Sequence, residues 1–409
     1  MMNRSPSFTA AIFSLAAASL ALVTFTGCNS QPEPLPWELE EGDEENNHQE
    51  DSSGSAESLV LFDQQVTLAG GYTPSITVEL PENVLSMTIT VSDGNPAAQF
   101  GVTGWIGPDG FEVVPNNWEQ SSQSGICYPN CNNRIFPWSG AFAAIAPNNP
   151  ASRVEPGEYS FRAFGVIPSG TSASPASGQV RIQVHAKVVQ EEVPETGVLD
   201  LNLFFTGAGG WTAESAQTDP SFQAMLEGLD RIYSQVGISI GEVSYSDVDP
   251  SFQVIEDITS GDGDLGTLLL TSADAPLNGP SVYFVDDLRS AGGFFGMVAG
   301  VSPGIPGPIQ TKGTPSSGVA IAVGSLDDPQ IPFTFEQLVG HEIGHHLGLF
   351  HTTEGPFAQI FPGIMPAHDP LPDTPENDDS YLMFYSGSGS TLSPWQGRVM
   401  RKNPWVQHR

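Results

Sequence analysis

The chain has 409 residues, too many for one typical domain and enough for a leader, a linker and two domains. Its 13 Lys and Arg residues against 47 Asp and Glu residues give a formal net charge of -34. This charge disfavours binding to nucleic acid or to anionic lipid headgroups, and the sequence contains no G-x-x-x-x-G-K-[ST] phosphate loop. We therefore expect no nucleic-acid partner.

Residues 1–27 have the pattern of an export signal. Arg4 precedes an apolar run from Phe8 to Phe25, which predicts a signal peptide and not a membrane span. The Gly27-Cys28 ending resembles a bacterial lipobox. This resemblance implies lipidation of Cys28, so that a lipid anchor alone holds the exported chain on the bacterial cell envelope, at the outer membrane or the cell surface. Ordinary signal cleavage and a retained anchor are the alternatives.

Residues 28–56 are polar and strongly acidic, with few apolar side chains. Such a segment cannot bury enough apolar surface to offset the entropy lost on ordering, and its like charges repel one another. We expect a disordered tether.

Residues 57–190 alternate apolar and polar side chains in short runs separated by turn-rich segments, which predicts an all-β sandwich with one solvated face. The runs are Ile76/Val78/Leu80, Leu85/Met87/Ile89/Val91, Tyr159/Phe161/Ala163 and Val180/Ile182/Val184/Ala186. Two roles remain open for this domain. It is either a prodomain that covers a cleft or a module that binds substrate or surface polymers.

Cys127 and Cys131 lie within this domain, separated by three residues. In an exported protein we interpret them as a small disulfide loop. The alternative is a free cysteine that caps a metal and keeps an enzyme latent.

Residues 197–409 begin with a predicted strand over Val198–Phe205, followed by a helix. Pro220 lies in the first turn of that helix, and Gly237 lies just past its end. Further predicted strands cover Ile238–Ile240, Ser281–Val285 and Gly318–Val323.

The segment from His341 to His351 carries an HExxHxxGxxH pattern. On a helix His341 and His345 lie one turn apart on the same face, so both imidazoles can reach one metal ion. Gly348 can adopt the left-handed conformation that ends a helix and brings His351 back as a third ligand. Three imidazoles leave a fourth position of a zinc ion open for water, and Glu342 is placed to act as general base on that water.

The residues around this pattern also favour a helix. Thr334 and Gln337 match a T-x-x-Q capping box, and Phe335, Val339, Ile343 and Leu347 form an apolar stripe opposite the histidines. His346 lies at no ligand position, so we predict a packing or hydrogen-bonding role for it.

The zinc pattern together with the later Tyr381-Leu382-Met383-Phe384-Tyr385 segment resembles the metzincin zinc endopeptidases. The segment from His368 to Pro375 is similar to an Asp-Thr-Pro stretch of pappalysin-like members, and Leu392–Gln396 is similar to the start of their C-terminal helix. This resemblance implies an α+β fold with a twisted mixed sheet, a zinc-motif helix and a C-terminal helix.

The resemblance also implies roles for single residues. Met383 would form the Met-turn, an apolar floor below the metal, and would not be a ligand. Tyr385 would be a catalytic residue that binds the metal or stabilises the oxyanion. A plain core tyrosine is the alternative for Tyr385.

In the metzincin fold the last strand before the zinc helix lies at the sheet edge and binds extended substrate. We therefore expect the cleft along Ser317 to Gly324, although an edge strand that simply faces water would leave the same pattern. The acidic segment before the Met-turn makes Ca²⁺ a second candidate ion, held by Asp369, Asp373, Glu376, Asp378 and Asp379.

The expected function is a zinc-dependent endopeptidase that hydrolyses extracellular proteins or peptides. Its expected ligands to one Zn²⁺ are His341, His345 and His351, with Glu342 as general base. A zinc-binding surface adhesin or an inactive homologue is the alternative of another class. Hydrolysis of amide bonds in cell-wall peptides is a second enzymatic alternative.

Overall fold

The computed structural model describes residues 56–121, 127, 131–169, 172–190, 193–289, 298–327, 332–355 and 368–408. The predicted signal peptide, the lipidation site Cys28 and residues 28–55 of the tether lie outside these ranges. We refer to residues 56–190 as the N-terminal region and to residues 197–408 as the C-terminal region. No helix in the described residues is long and apolar enough to cross a bilayer.

The N-terminal region is built from antiparallel strands and one short helix, α1 (Trp118–Ser121). Its strands are β1 (Ala56–Leu68), β2 (Ile76–Leu80), β3 (Val84–Ser92), β4 (Gln99–Ile106), β5 (Glu112–Val114), β6 (Trp138–Ser139), β7 (Phe142–Ala146), β8 (Gly157–Ser169), β9 (Ser172–Pro175) and β10 (Gly178–Val189). One sheet has the order β1-β10-β3-β7, and the other has β2-β8-β4-β5 with β6 and β9 attached. Side chains from both sheets share one apolar core, so the two sheets form a sandwich.

The alternation in β2 shows why these residues form half-buried strands. Ile76, Val78 and Leu80 are buried, whereas Thr77 and Glu79 between them are exposed. Successive side chains of a strand point to opposite faces, so this run gives one face to the core and one to solvent.

The prediction of a solvated face is wrong for the central strands of the other sheet, β3 and β10. The polar side chains of Thr88, Gln183 and Lys187 are 6% exposed or less. The C-terminal region covers them: Thr311 donates a 2.9 Å hydrogen bond from Oγ1 to the Gln183 side chain, for example. Gln183 and Lys187 were expected to meet water, but Gln183 accepts a hydrogen bond from Thr311, and Lys187 donates to backbone carbonyls of the C-terminal region.

The C-terminal region is mixed α and β. Its helices are α2 (Ala213–Ala216), α3 (Pro220–Ser234), α4 (Asp264–Leu269), α5 (Phe335–His346) and α6 (Pro394–Lys402). Its strands are β11 (Gly197–Phe205), β12 (Ile238–Asp247), β13 (Val254–Ile255), β14 (Ser281–Val285), β15 (Asp287–Leu288), β16 (Gly300–Val301) and β17 (Val319–Ala322). Together with the sandwich they make an α+β chain in which sheets predominate.

The main sheet of this region has the order β12-β11-β14-β17-β16, parallel except for β16. Alternate side chains of its central strands enter two different cores. In β14, Val282 and Phe284 face the core shared with α3 and α5, whereas Tyr283 and Val285 face the core shared with α4. Both faces are therefore covered, which is why Val282–Val285 of β14 and Val319–Ala322 of β17 are continuous apolar runs.

The expected position of the cleft strand is wrong. The last strand before the zinc-motif helix is β17, and it lies between β14 and β16 in the interior of the sheet. The edge belongs to β16, which has two residues, Gly300 and Val301, and pairs antiparallel with β17. A two-residue strand has no period-2 pattern, so the sequence did not reveal it.

The helix and strand limits otherwise follow the sequence closely. Asp219 caps α3 and Pro220 occupies its first turn, while Gly237 has a φ of +72° just after its end. Strand β12 continues to Asp247, well past the predicted Ile240, because an edge strand with one solvated face tolerates the polar residues there.

Candidate metal centre

Helix α5 carries the first two histidines on one face. Its N-terminal cap and its buried apolar face fix the position of the helix. The backbone N–H of Thr334 donates to Oε1 of Gln337 at 2.8 Å, as the capping-box pattern predicts. Val339, Ile343 and Leu347 are buried in the core shared with α3. This anchorage leaves His341 and His345 on the other face, one turn apart.

Gly348 ends the helical segment and redirects the chain. Its φ is +111°, a value that residues with a side chain rarely adopt, and its N–H donates to the carbonyl of His345 at 2.9 Å. The turn returns the backbone toward the helix and places His351 beside the two helical histidines.

The three imidazoles converge on one point. Nε2 of His351 lies 3.2 Å from Nε2 of His341 and 3.1 Å from Nε2 of His345. All three side chains are buried, and within the described residues they are the one group of three or more His, Cys, Asp or Glu side chains arranged to hold a metal.

The other ring nitrogens fix which atoms are free to bind an ion. Nδ1 of His341 is 2.7 Å from the Leu382 carbonyl, and Nδ1 of His345 is 2.7 Å from the Leu349 carbonyl. Nδ1 of His351 is 2.8 Å from Oε2 of Glu354. Carbonyl and carboxylate oxygens only accept, so each Nδ1 carries the proton and each Nε2 presents a lone pair.

This donor set fits a metal such as zinc. Burial lowers the pKa of His341 to about 3 and the pKa of His345 well below its ordinary value, so both rings are neutral near pH 7. A tetrahedral ion with Zn–N distances of about 2.0–2.1 Å separates two ligand nitrogens by about 3.3 Å, close to the spacing found here. Three lone pairs at this distance repel one another unless a cation lies between them.

Glu354 contacts the third histidine, a contact that the sequence did not predict. Burial opposes its charge, but His351 and Arg134 beside it hold the pKa of the Glu354 carboxyl below its ordinary value. An acidic side chain three residues after the third histidine was the available signal. In a chain with 47 acidic residues that signal is weak.

Arg134 of the N-terminal region was also missed. Its Nη2 lies 3.2 Å from Oε1 of Glu354, and its guanidinium lies 4.0 Å from the centroid of the Phe350 ring. The contact joins residues 220 positions apart, and no local pattern could have indicated it.

Glu342 lies on α5 next to His341 and is 4% exposed. Burial raises the pKa of its carboxyl to about 8. A cation held by the neighbouring histidines would favour the ionised form and oppose this effect. Its side chain packs against the backbone of β16: a Cβ placed on Gly300 would lie 2.6 Å from Cγ of Glu342.

Met383 and Tyr385 come just after Leu382, whose backbone carbonyl accepts the hydrogen bond from Nδ1 of His341. Met383 is fully buried, and a Cβ placed on Gly344 of α5 would lie 2.7 Å from its Sδ, so the methionine underlies the helix between the two helical histidines. Tyr385 is half-buried; its N–H donates to the Thr353 carbonyl at 3.3 Å, and its ring packs beside Gly355.

His346 has the packing role expected of it. It is 1% exposed, and the backbone N–H of Gly307 donates to its carbonyl at 3.1 Å. Burial lowers the pKa of its imidazole to about 4.

The acidic residues before the Met-turn do not gather around one point. Within the described residues the histidine group is the one candidate metal cluster. Asp369 accepts hydrogen bonds from Leu371 and Thr374, and Asp373 accepts one from the backbone N–H of Trp395. These carboxylates organise the loop and the start of α6, and the calcium prediction gains no support from them.

Cys127 and Cys131 form a disulfide in the sandwich, with their Cα atoms 5.6 Å apart. Neither cysteine belongs to the histidine group. The alternative of a cysteine that caps the metal therefore does not describe this arrangement.

No family model matches this sequence, and no curated protein matches it either. Among solved structures, metalloproteinase-II from Bacteroides fragilis is similar with a TM-score of 0.32 and 13% identity over 54% of this chain and 62% of that chain. A chaperone-substrate complex gives a TM-score of 0.27 and 12% identity over 58% of this chain and 39% of that one. A periplasmic inhibitor of g-type lysozyme from Aeromonas hydrophila gives a TM-score of 0.16 and 15% identity over 35% of this chain and 92% of that one.

The match spans less than two-thirds of the metalloproteinase chain. These scores indicate only a distant similarity.

Proposed function

We propose that this protein is a zinc-dependent endopeptidase of the metzincin type, similar to the pappalysins. The observation that supports this most directly is the convergence of three imidazole nitrogens, with Nε2 of His351 3.2 Å from that of His341 and 3.1 Å from that of His345, beside the buried Glu342 of α5. Three protein ligands leave the fourth position of a tetrahedral ion open, as a catalytic site requires.

A bound zinc would polarise the substrate carbonyl and lower the pKa of water to about 7. Glu342 would accept the proton of the attacking water and then donate it to the leaving amine. The contact with Gly300 holds the glutamate in place for both transfers. Tyr385 would stabilise the oxyanion of the tetrahedral intermediate, a role that comes from the metzincin resemblance.

The substrate would be an extended protein or peptide segment. Strand β16 lies at the edge of the main sheet, and its Gly300 contacts Glu342. A peptide added along this edge would pair with β16 and pass beside the base, so backbone hydrogen bonds would position it. This replaces β17 with β16 as the proposed substrate strand.

We further propose that the protein is exported and held on the bacterial cell envelope through lipid on Cys28. The signal pattern and the Gly27-Cys28 ending support this. Mass spectrometry of the mature N-terminus tests it, and an unmodified residue there would refute lipidation.

The function is tested by comparing the wild-type chain with Glu342→Gln, using zinc analysis and hydrolysis of casein with and without chelator. We expect one zinc per chain in both proteins. The variant should lose about 10²–10⁴-fold in rate, because the ligands stay while the proton acceptor is lost. Glu336→Gln in the first turn of the same helix, at no ligand position, should keep the wild-type rate.

Two results would refute the proposal. One is a folded protein that takes up no zinc after reconstitution. The other is hydrolysis that survives in Glu342→Gln. Wild-type protein that holds zinc but cleaves no protein or peptide would favour the adhesin or inactive homologue instead.

A further inference from the structure

Arg134 of the N-terminal region extends to the metal centre. Its side chain is 2% exposed and pairs with Glu354, whose side chain is 11% exposed. Glu354 in turn accepts from Nδ1 of His351 at 2.8 Å. A continuous chain of contacts therefore runs from the sandwich to the third ligand.

His351 differs from the other two ligands in how its ring is held. Backbone carbonyls of Leu382 and Leu349 accept from the rings of His341 and His345, whereas a carboxylate accepts from His351. A carboxylate makes the ring more basic and fixes its orientation, and such partners of metal ligands strongly affect metal affinity. A carboxylate as buried as Glu354 requires a counter-charge, which Arg134 supplies.

Arg134 is itself fixed by its surroundings. The side chain of Asn148 accepts a hydrogen bond from the backbone N–H of Arg134 at 3.2 Å and donates one to the backbone carbonyl of Arg134 at 2.6 Å. Asn133 beside it donates to the Ile145 carbonyl at 3.0 Å. The guanidinium also lies over the ring of Phe350, one residue before His351, and this cation–π contact restricts its position.

The surroundings of the third ligand are also shared between the two regions. A Cβ placed on Gly348 would lie 3.3 Å from Cγ2 of Ile145 in β7, so the turn that leads to His351 packs on the sandwich. Ala143 and Ile145 of β7 form a small apolar cluster with Ile309 of the C-terminal region.

We propose that Arg134 is a positioning residue for the third metal ligand, acting through Glu354, and that the N-terminal region is a lasting part of the active site and not a prodomain that is removed. This inference rests on the proposed zinc function. The sequence left two roles open for the sandwich, and this inference excludes the role of a prodomain that is removed.

The first test measures zinc affinity by competition with a chromogenic chelator for wild type, Arg134→Gln, Glu354→Gln and the double variant. We expect each single variant to bind zinc about 10-fold more weakly. The double variant should bind no more weakly than Glu354→Gln alone, because Arg134 acts through Glu354.

Arg153→Gln is the matched control. Arg153 also pairs with a glutamate, Glu155, at 3.4 Å and also lies over a ring, Phe111, but its side chain is 54% exposed and its ion pair does not involve Glu354. It should leave zinc affinity unchanged. A general effect of losing an arginine from the N-terminal region would lower affinity in both arginine variants.

The inference is overturned if Arg134→Gln binds zinc as tightly as wild type, or if the two single effects multiply in the double variant. Should Arg134→Gln not fold, Glu354→Gln alone decides, and wild-type zinc affinity in that variant overturns the inference. Wild-type protein that binds no zinc or cleaves no protein would instead be a failure of the proposed function.

The second test determines the N-terminus of the active, zinc-loaded protein by mass spectrometry. We expect the active chain to retain the N-terminal region and therefore Arg134. An active form that begins after residue 134 would overturn the inference even if zinc affinity depended on Arg134 in the full chain.

Discussion

Gly300 and Glu342 are in such close contact that no side chain fits between them. A Cβ on Gly300 would lie 2.6 Å from Cγ and 2.7 Å from Oε1 of Glu342. The glycine is required for space and not for a special backbone conformation, since its φ is not in the positive region. A single hydrogen-to-methyl change at Gly300 would therefore displace the Glu342 side chain.

Gly300→Ala should therefore lower the rate of peptide hydrolysis while zinc content stays at one per chain. A displacement of about 1 Å at a reacting group can cost about 10²-fold in rate. Steady-state kinetics together with zinc analysis measure both quantities.

Val282→Ala is the control for this change, because it shortens a buried side chain in β14, two strands away from β16, and adds nothing next to Glu342. It should lower stability and leave the rate near that of wild type. Equal loss of rate in the two variants would contradict the steric explanation.

Helix α5 and the turn after it place all three histidines within one local segment. The helix supplies His341 and His345, and Gly348 reverses the chain so that His351 joins them. The apolar face of α5 is anchored in the core, but the lone pairs on the other face point at one another. Without a cation between them these lone pairs repel one another, so we expect a bound metal to stabilise this element.

Chelation of the metal should lower the stability of α5 and of the segment through His351 more than that of the sandwich. Zinc at 100 times its dissociation constant contributes about 2.7 kcal/mol to the folded state. Hydrogen exchange should show faster exchange of amides in 341–353 after chelation, while amides of β2 and β3 keep their protection. Added zinc should restore the slow exchange.

Unchanged exchange in 341–353 upon metal removal would show that the histidines are held by packing alone. In that case the repulsion inferred from the Nε2 distances is not a feature of the folded protein. Thermal unfolding with and without chelator gives an independent measurement of the same effect.

At the scale of the whole molecule, Lys187 links the sandwich to the C-terminal region. It lies on β10 and is 2% exposed. Its Nζ donates to the backbone carbonyls of Arg401, Asn403 and Val406 at 2.5, 3.0 and 2.7 Å. These carbonyls lie at and beyond the end of α6, where intrahelical partners are missing, so the sandwich caps the final helix.

Lys187→Met should destabilise the full chain by about 3 kcal/mol, since three buried acceptors lose their donor at about 1 kcal/mol each. The variant keeps the length of the side chain, so packing changes little. Chemical denaturation followed by tryptophan fluorescence measures the change in the free energy of unfolding.

Arg181→Ala on the same strand provides the comparison. Its ion pair with Asp63 is exposed, 39% and 35% for the two side chains, so its loss should cost about 1 kcal/mol or less. If the two variants proved equally stable, Lys187 would not be the link between the regions that its hydrogen bonds indicate.

The sequence by itself determined the features that depend on neighbours along the chain. The offsets of His341, Glu342 and His345 follow from helix periodicity, and the turn at Gly348 follows from the conformations that glycine allows. The strands of the sandwich and of the main sheet were predictable where one face meets a core, as in β2, or where both faces do, as in β14. Local periodicity reports burial directly, which is why these predictions agree with the structure.

Only the tertiary structure decided which distant residues meet. Strand β16 is too short to leave a pattern, and its place at the sheet edge depends on pairing with β17. The polar face of β3 and β10 resembles a solvated surface in sequence, yet the C-terminal region covers it. Arg134 reaches Glu354 across 220 positions, because ion pairs between distant segments are set by how folded regions pack and leave no period in the chain.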